Sequence, residues 1–139
     1  MPESIKFGNV VLCDDIRLEV RNKISLVGML ANDVFLDQIP SIQWFAIYIE
    51  FFPAELGPLN VGVSITLGPT PVFLGRVDLN IVDLDTRGVI TLPRFPVPVE
   101  QEGDFIVALD FPNERHEVLK RRFLRGEPMK WFPDPTVGQ

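Results

Sequence analysis

The segment VGVSITL, residues 61–67, alternates apolar residues with glycine or small polar ones at a period of two. The same alternation recurs in RVDLNIV, residues 76–82, and in GDFIVALDF, residues 103–111. A strand with one face in a core and the other toward water produces this pattern, and antiparallel sheets are built from such strands. These three segments therefore predict an all-β protein.

The segment WFAIYIEFF, residues 44–52, is apolar on both faces of an extended chain. One face carries four large apolar side chains: Phe45, Ile47, Ile49 and Phe51. The other face carries Trp44, Ala46 and Tyr48. The β-branched and aromatic content favours a strand over a helix. We expect a central strand whose second face is half covered.

Glycine and proline clusters separate the apolar runs at short intervals, as turns between strands do. In PRFPVPV, residues 93–99, each proline lacks the N–H of a sheet ladder, which predicts an edge strand or an extended connection. The chain of 139 residues has the length of one domain. We therefore predict a single antiparallel β-sandwich over residues 1–139, immunoglobulin-like or C2-like, with about seven or eight strands and a tail at 127–139. A single closed sheet is the alternative.

Residues 114–125 carry the signals of two different structures. Asn113 as a cap, the early Glu114 and the late Gly126 are typical of a helix. Two short strand pieces joined by a bulge explain the apolar positions equally well: Val118, Leu119, Phe123 and Leu124. Both alternatives stay open on the residues alone, so we expect at most one short helix near the C-terminus.

The N-terminal stretch VVLCDDIRLEVRNKISLVGML, residues 10–30, predicts a hairpin. Apolar and charged residues alternate up to Arg21 and Asn22, where a turn reverses the chain and asparagine tolerates a left-handed backbone. Asp14 and Asp15 are expected at a break between two strands. There their carboxylates can accept hydrogen bonds from nearby backbone N–H groups.

The same stretch carries a resemblance to a family. LCDDIRLEVRNKISLVGML, residues 12–30, with IPSIQWFAIYIEF, residues 39–51, and the later GDFIVALDF, resembles a group of small uncharacterised bacterial and phage proteins. These proteins open with a Cys-Asp-Asp element, a hairpin turn and a Leu-x-Gly segment, although Arg21 stands here where a turn glycine is expected. The resemblance implies a β-sandwich with a closing strand at 114–125, and it implies no activity.

Charge and cysteine content argue against several classes of function. The net charge of -6 argues against general nucleic-acid binding, which depends on phosphate neutralisation by Lys and Arg. One cysteine cannot form a disulfide within the chain, and the N-terminal residues lack a signal-peptide pattern, so we expect a cytoplasmic protein. No apolar run approaches the roughly 20 residues that span a bilayer, so no membrane partner is expected. Phosphate-binding and nucleophile motifs are missing as well, so we predict no cofactor and no catalytic residue.

Four aspartates are the candidate ligands for a divalent metal ion. Asp83 and Asp85 begin a loop with the spacing of a calcium site, but Arg87 occupies a position that requires an oxygen ligand. A site would therefore need these two residues to meet Asp14 or Asp15 at one end of the sandwich. The simpler interpretation of each pair is a solvated turn.

Cys13 and His116 are the other residues with possible site chemistry. One cysteine and one distant histidine do not have a zinc-binding spacing. Cys13 is therefore expected to pack as a small apolar residue, and His116 to lie in a surface turn. A Cys13–His116 pair formed in space is the alternative.

The C-terminal quarter is slightly basic on an acidic body. Residues 1–113 hold seven basic and fifteen acidic side chains, whereas residues 114–139 hold six and four. Cations and aromatic residues interleave here, which makes the region the candidate surface for a protein partner: Lys120, Arg121, Arg122, Phe123, Arg125, Trp131 and Phe132. An edge strand protected by charge is the alternative explanation.

Two functions are consistent with these patterns. The first is a soluble, non-enzymatic β-sandwich that binds a protein partner or a second copy of itself. The alternative is a protein that binds a small ligand or a divalent metal ion, including a hydrolase, through its loop aspartates.

Overall fold

The computed structural model describes residues 5–126, and this part of the chain folds as two β-sheets around one core. The predicted all-β sandwich is confirmed, and the closed-sheet alternative is wrong. Residues 5–126 form nine strands rather than seven or eight, because a three-residue strand joins one sheet at its edge. The strands are β1 (Lys6–Glu19), β2 (Lys23–Leu30), β3 (Val34–Leu36), β4 (Ser41–Phe52), β5 (Gly57–Leu67), β6 (Thr70–Ile81), β7 (Gly88–Val99), β8 (Gly103–Phe111) and β9 (Glu114–Arg125).

The first sheet, sheet A, has the strand order β2-β1-β4-β7, and the second, sheet B, has the order β3-β9-β8-β5-β6. Every neighbouring pair is antiparallel, as predicted, except β3 and β9, which run parallel. Helical structure between residues 5 and 126 is limited to a 3-10 turn at Val20–Asn22. No helix in that range has the length and apolar character to cross a membrane.

The inner faces of the two sheets meet in an aromatic cluster. The rings of Phe105 and Phe123 stack with their centroids 4.9 Å apart and an angle of 11° between their planes. Phe45 of sheet A packs against Phe123 at a centroid distance of 5.4 Å. Phe105 and Phe123 have no exposed surface. These rings therefore join the two sheets at the centre of the core.

Strand β4 is central in sheet A, as its two apolar faces predicted, and β7 is an edge strand, as its prolines predicted. Pro96 lies opposite Trp44, and Pro98 lies opposite Ile42. Neither proline has an N–H to offer to a further strand. This stretch of the edge is therefore protected against strand addition.

Residues 114–125 form strand β9 throughout, so the short helix is wrong there and the strand with a bulge is confirmed. The ladder with β8 skips Val118, since its neighbours Glu117 and Leu119 face consecutive residues of β8. The extra residue lets Leu119 enter the core, which explains why two adjacent apolar residues interrupt the period of two. Pairing along the whole of β8 overrides the local helix signals.

The predicted N-terminal hairpin is confirmed. Its turn holds Arg21 at φ 64° and Asn22 at φ 58°, both in the left-handed region. The predicted break at Asp14 and Asp15 is wrong, because β1 continues through both residues and pairs with β2 on either side of them.

The end of this hairpin extends beyond sheet A. Strand β1 pairs with β4 only from Lys6 to Cys13, whereas it pairs with β2 as far as Glu19. Residues 14–28 are thus a two-stranded ribbon, and no other strand of the described range 5–126 lies beside it. A two-stranded hairpin is marginally stable in water by itself, so the ribbon depends on its attachment to the sandwich.

Candidate functional site

The outer face of sheet B is polar, and its side chains pair with one another across the strands. Arg115 Nη1 lies 2.7 Å from Asp110 Oδ2, and Arg115 Nη2 lies 3.2 Å from Ser64 Oγ. Asn60 Nδ2 donates to Asp78 Oδ1 at 2.6 Å. Such a face is typical of an antiparallel sheet exposed to water.

The outer face of sheet A is apolar by contrast. Cys13 lies opposite both Met29 of β2 and Ala46 of β4, so the three side chains share this face. Cys13 and Ala46 are fully buried, while the larger side chains around them are exposed: Met29, Ile42 at 65% and Trp44 at 46%. We call these five residues the sheet A patch. Several exposed apolar side chains grouped on one face mark an interaction site in many soluble proteins.

The sheet A patch could not be predicted from the sequence. The available signal was the second apolar face of WFAIYIEFF, which includes Trp44 and Ala46. That signal could not bring Met29 or Cys13 to the same surface, because the strand order β2-β1-β4 is needed to place them there. Arg94 also borders the patch, with its guanidinium carbon 5.4 Å from the centre of the Trp44 ring.

One carboxylate, that of Glu50, is buried on this face of β4, with only 8% of the residue exposed. Glu50 Oε1 accepts from Asn9 N at 3.0 Å, from Asn9 Nδ2 at 2.9 Å and from Arg87 Nη1 at 3.1 Å. Glu50 Oε2 accepts from the Tyr48 hydroxyl at 2.8 Å. We call these four residues the Glu50 network. It connects β1, β4 and the loop before β7.

Hydrogen bonds within the Glu50 network stabilise the charged form of Glu50. The bonds from Asn9 N and the Tyr48 hydroxyl hold the pKa of Glu50 below its usual range, although burial acts in the opposite direction. Burial, together with the bond to Glu50, raises the pKa of Tyr48, so this hydroxyl stays protonated and continues to donate. The carboxylate is engaged on both oxygens, and its role is to hold these strands together.

We expect acid to weaken the fold through Glu50. Its pKa is lower in the folded protein than the value of 4.5 for an unperturbed glutamate, so its contribution to stability is present above that value and is lost as pH falls through the folded pKa. Glu50→Gln should lower the free energy of unfolding by about 1–3 kcal/mol at neutral pH. The difference from the wild type should shrink on acidification below about pH 5.

Urea unfolding of both proteins over a range of pH measures this difference. Glu55→Gln, which changes an exposed carboxylate, is the matched control and should differ little from the wild type at any pH. A difference between wild type and Glu50→Gln that stays constant with pH would contradict the assignment.

Cys13 packs as a small apolar residue, as predicted. Its Sγ lies 3.6 Å from Ala46 O and 3.4 Å from Asp15 O. Burial raises the pKa of the thiol, which disfavours the reactive thiolate. Asp15 Oδ1 accepts from Ile16 N at 2.9 Å, so this carboxylate bonds to local backbone as expected.

Asp14 lies against Gly28 of the facing strand. Gly28 has φ +69°, and a Cβ at this position would collide with the Asp14 carboxylate. The Cys-Asp-Asp element and the Leu-x-Gly segment therefore meet across the β1–β2 ladder. Their contact shapes the base of the ribbon, which is a structural role.

The loop with the calcium-like spacing is a turn closed by its own residues. Asp83 Oδ1 accepts from Asp85 N at 2.8 Å, and Asp83 Oδ2 accepts from Thr86 Oγ1 at 3.0 Å. Arg87 turns away to the Glu50 network. The Asp83 carboxylate thus supports the turn, as the simpler interpretation expected.

Asp14 and Asp15 lie far from that turn. The turn leads into β7 opposite Phe51, whereas Cys13 lies opposite Ala46. Five residues of β4 separate these points, which is about 17 Å along the strand. The structure therefore does not bring the two aspartate pairs together, and no group of three His, Cys, Asp or Glu residues within 5–126 is placed to hold a metal ion.

The predicted basic cluster lies on β9, and its cations pair with groups of the same chain. Arg122 Nη2 lies 2.6 Å from Asp33 Oδ2, and Lys120 Nζ lies 3.6 Å from Asp104 Oδ2. The hydrogen bond from Arg122 holds the pKa of Asp33 below its usual range. These carboxylates offset much of the positive charge that a partner would meet.

Phe123 is wrong as a partner-binding residue, because it points into the core and stacks on Phe105. Neighbouring side chains on a strand face opposite sides, so Arg122 points outward where Phe123 points inward. Arg121 and Arg125 each donate to a backbone carbonyl. Two further predicted contact residues lie outside the residues that the structure describes, as does the tail at 127–139: Trp131 and Phe132.

His116 lies on β9 and is partly buried, so its predicted place in a surface turn is wrong. Its Nε2 is 2.5 Å from Glu114 Oε1, and its ring packs at 5.2 Å from the ring of Phe7. Glu114 Oε1 also accepts from Ile5 N at 2.8 Å. Cys13 lies on the outer face of sheet A, so the structure does not form the Cys13–His116 pair.

A cavity of about 160 Å³ opens at the end of the sandwich where β1 begins. Apolar residues form much of its wall, including Ile5, Leu56, Leu59 and Phe111. The turn between β6 and β7 lies at the same end of the sandwich, and this end exposes both apolar side chains and carboxylates. We call this surface the acidic end: Glu55, Leu56, Val82, Asp83, Leu84 and Asp85.

The far end of β1 carries the hairpin tip, residues 17–24. Leu18 and Val20 are the most exposed apolar residues here, at 79% and 81%. The tip also holds three cations and one carboxylate: Arg17, Arg21, Lys23 and Glu19. It is therefore apolar and basic, whereas the acidic end is apolar and negatively charged.

Comparisons with known proteins give little further information. No family model matches the chain, and no curated protein matches it. Among solved structures, the chain is similar to the CARDB domain of the PF1109 protein from Pyrococcus furiosus, whose crystal structure is in complex with di-metal ions. The two sequences are 13% identical. The alignment covers 86% of this chain and 96% of that chain, with a TM-score of 0.40. A structural similarity at this level does not indicate a function.

Proposed function

We propose that this protein is a non-enzymatic module that binds another protein through the outer face of sheet A. The observation that carries the proposal is the exposure of Ile42, Trp44 and Met29 together on one face. The outer face of sheet B carries ion pairs between its strands, with Leu74 exposed at its β6 edge. Water-exposed sheet faces are usually polar. A partner that covers the sheet A patch would remove these side chains from water.

The composition of the sheet A patch suits a protein surface. Tryptophan is among the residues that most often dominate the binding free energy of an interface, and Trp44 is exposed on the patch. Arg94 beside it provides a polar border. Cys13 and Ala46 have no exposed surface, so the larger side chains around them form the surface that a partner would contact. Prolines at the β7 edge disfavour addition of a strand there, so a partner would pack on the face. The Glu50 network holds the adjoining part of β4 rigid.

Site-specific cross-linking tests the proposal. A photoreactive phenylalanine analogue is placed at Ile42 on the sheet A patch, or at Leu74, which is even more exposed, on the outer face of sheet B. The full chain is irradiated in the cells that produce it. We expect a discrete adduct from position 42 and none from position 74. The adducted protein is then identified and purified.

The affinity for that purified protein is measured by calorimetry for wild type, Trp44→Ser and Leu74→Ser. We expect Trp44→Ser to weaken binding by about 30-fold, as loss of a hot-spot tryptophan does, and Leu74→Ser to leave it unchanged. Equal adducts from both positions, or equal affinities for the two variants, would rule out the sheet A patch as the binding surface.

The other surface predicted from the sequence stays a secondary proposal. Lys120 and Arg122, on the outer face of sheet B, and the tail at 127–139 would bind a protein separately from the sheet A patch. A cytoplasmic location also stays a prediction.

A further inference from the structure

We infer that copies of this protein associate head to tail, with the hairpin tip of one copy docked on the acidic end of the next. This inference goes beyond the proposed function. It involves a second copy of the chain rather than a different protein, and it does not use the sheet A patch. Either proposal can therefore fail without the other.

The charges of the two surfaces are complementary. The hairpin tip holds Arg17, Arg21 and Lys23 against Glu19, on a chain whose net charge is -6. Arg17 also faces Asp15 at 3.7 Å, so Arg21 and Lys23 supply most of the positive charge of the tip.

The acidic end exposes Glu55, Asp83 and Asp85. Two exposed cations lie at the same end: Arg87, which pairs with Glu50, and Lys6 at the start of β1. Opposite charges on the two surfaces favour the encounter and fix the orientation of docking.

The apolar parts of the two surfaces are also complementary. Leu18 and Val20 project from the tip, and the acidic end offers a cavity of about 160 Å³ with Leu56 in its wall. A cavity of about 150 Å³ lined by apolar side chains accommodates a molecule of the size of benzene. This cavity therefore has room for one aliphatic side chain from the tip.

Other exposed apolar residues extend the contact on the acidic end. Gly57 and Ile81 form the last pair of the β5–β6 ladder, so Leu56 and Val82 leave the sheet side by side. Both are exposed, as is Leu84 in the following turn. The apolar contact can thus continue from the cavity onto the adjoining turn, with the carboxylates Asp83 and Asp85 beside it.

A copy cannot dock its tip on its own acidic end. The two surfaces lie at opposite ends of β1, which has 14 residues from Lys6 to Glu19. At about 3.3 Å per residue, this separates them by roughly 45 Å. The contact is therefore between different surfaces of two molecules, and each molecule keeps one surface unused, so the association can continue into a chain of copies.

Two variants of the full chain separate the two halves of this contact. The tip variant carries Leu18→Asp and Val20→Asp, and the end variant carries Leu56→Arg. All three positions are exposed, so the fold should tolerate the changes. Leu74→Asp, at an exposed position of sheet B, is the matched control.

Sedimentation velocity of each protein at increasing concentration measures association. The contact is smaller than a standard interface, so we expect a dissociation constant of roughly micromolar or weaker. The wild type and Leu74→Asp should grow in mass with concentration, and added salt should reduce this growth. The tip variant and the end variant should each remain monomeric.

The mixture of the two variants is the decisive sample. The end variant retains an intact tip and the tip variant an intact acidic end, so an equimolar mixture should form a dimer and nothing larger. A wild type that stays monomeric up to about 1 mM, or a mixture no larger than its components, would overturn the inference. So would association that survives in the tip variant but is lost in Trp44→Ser, which would place the contact on the sheet A patch.

Discussion

Phe123→Ala is expected to lower the free energy of unfolding by about 3–5 kcal/mol, the typical cost of truncating a buried phenylalanine. The ring stacks on Phe105 at 4.9 Å and packs against Phe45 at 5.4 Å, and it has no exposed surface. Its removal would leave a cavity at the junction of the two sheets. A domain of this kind is stable by only about 5–15 kcal/mol, so the loss would be a large part of the total.

Urea unfolding measures the effect, with Lys120→Ala as the control on the same strand. Lys120 is exposed, and its replacement should change the stability by less than about 0.5 kcal/mol. Phe123→Leu retains more of the side-chain volume and should cost only about 1–2 kcal/mol, so it provides a measurement if the alanine variant does not fold. A cost below about 1 kcal/mol for Phe123→Ala would contradict the packing described here.

Gly28→Ala is expected to lower the free energy of unfolding by about 2–3 kcal/mol. Part of this cost arises because Gly28 has φ +69°, which disfavours any residue with a Cβ. The rest arises because that Cβ would collide with the Asp14 carboxylate. The strain falls at the base of the ribbon, where β1 has already separated from β4.

A double-mutant cycle with Asp14→Ala separates the two causes. In the Asp14→Ala background the collision with the carboxylate is removed, while the contact with the Cβ of residue 14 at 3.0 Å and the backbone cost remain. Gly28→Ala should therefore cost about 1 kcal/mol less than in the wild type. Chemical denaturation of the four proteins gives this coupling. The same cost in both backgrounds would show that Asp14 does not occupy the space above Gly28.

Features that depend on one strand could be predicted from the sequence. The two apolar faces of residues 44–52 predicted a central strand, and the prolines of residues 93–99 predicted an edge. The turn at Arg21 and Asn22 was likewise evident from local residue preferences. In each case the pattern is set by the strand's immediate surroundings, which the local sequence reflects.

Features that depend on which strands are neighbours could not be predicted. The period of two shows that Trp44 and Ala46 share a face, but the partnership with Cys13 and Met29 requires the order of the strands. The same limit applies to Phe123, whose sequence neighbours are cations and whose spatial neighbours are aromatic rings. Local patterns contain no information about contacts between distant segments.

The hairpin tip shows that a sequence pattern typical of a buried strand can also occur on an exposed one. Its alternation of aliphatic and charged residues is that of a strand with one buried face. In the structure β1 leaves β4 after Cys13, so Leu18 has no second sheet to pack against. A pattern that normally indicates a core position thus lies on an exposed surface.

The parallel pairing of β3 with β9 has a consequence for how the chain acquires its structure. Asp33 and Arg122, which join these strands, are 89 residues apart. During synthesis, Phe45 emerges long before Phe105 and Phe123, the rings it packs against. The inner face of sheet A therefore stays uncovered until β8 and β9 have been synthesised. Such non-local topologies fold slowly, on a scale of about milliseconds to seconds, and until then the nascent protein is open to aggregation and to binding by chaperones.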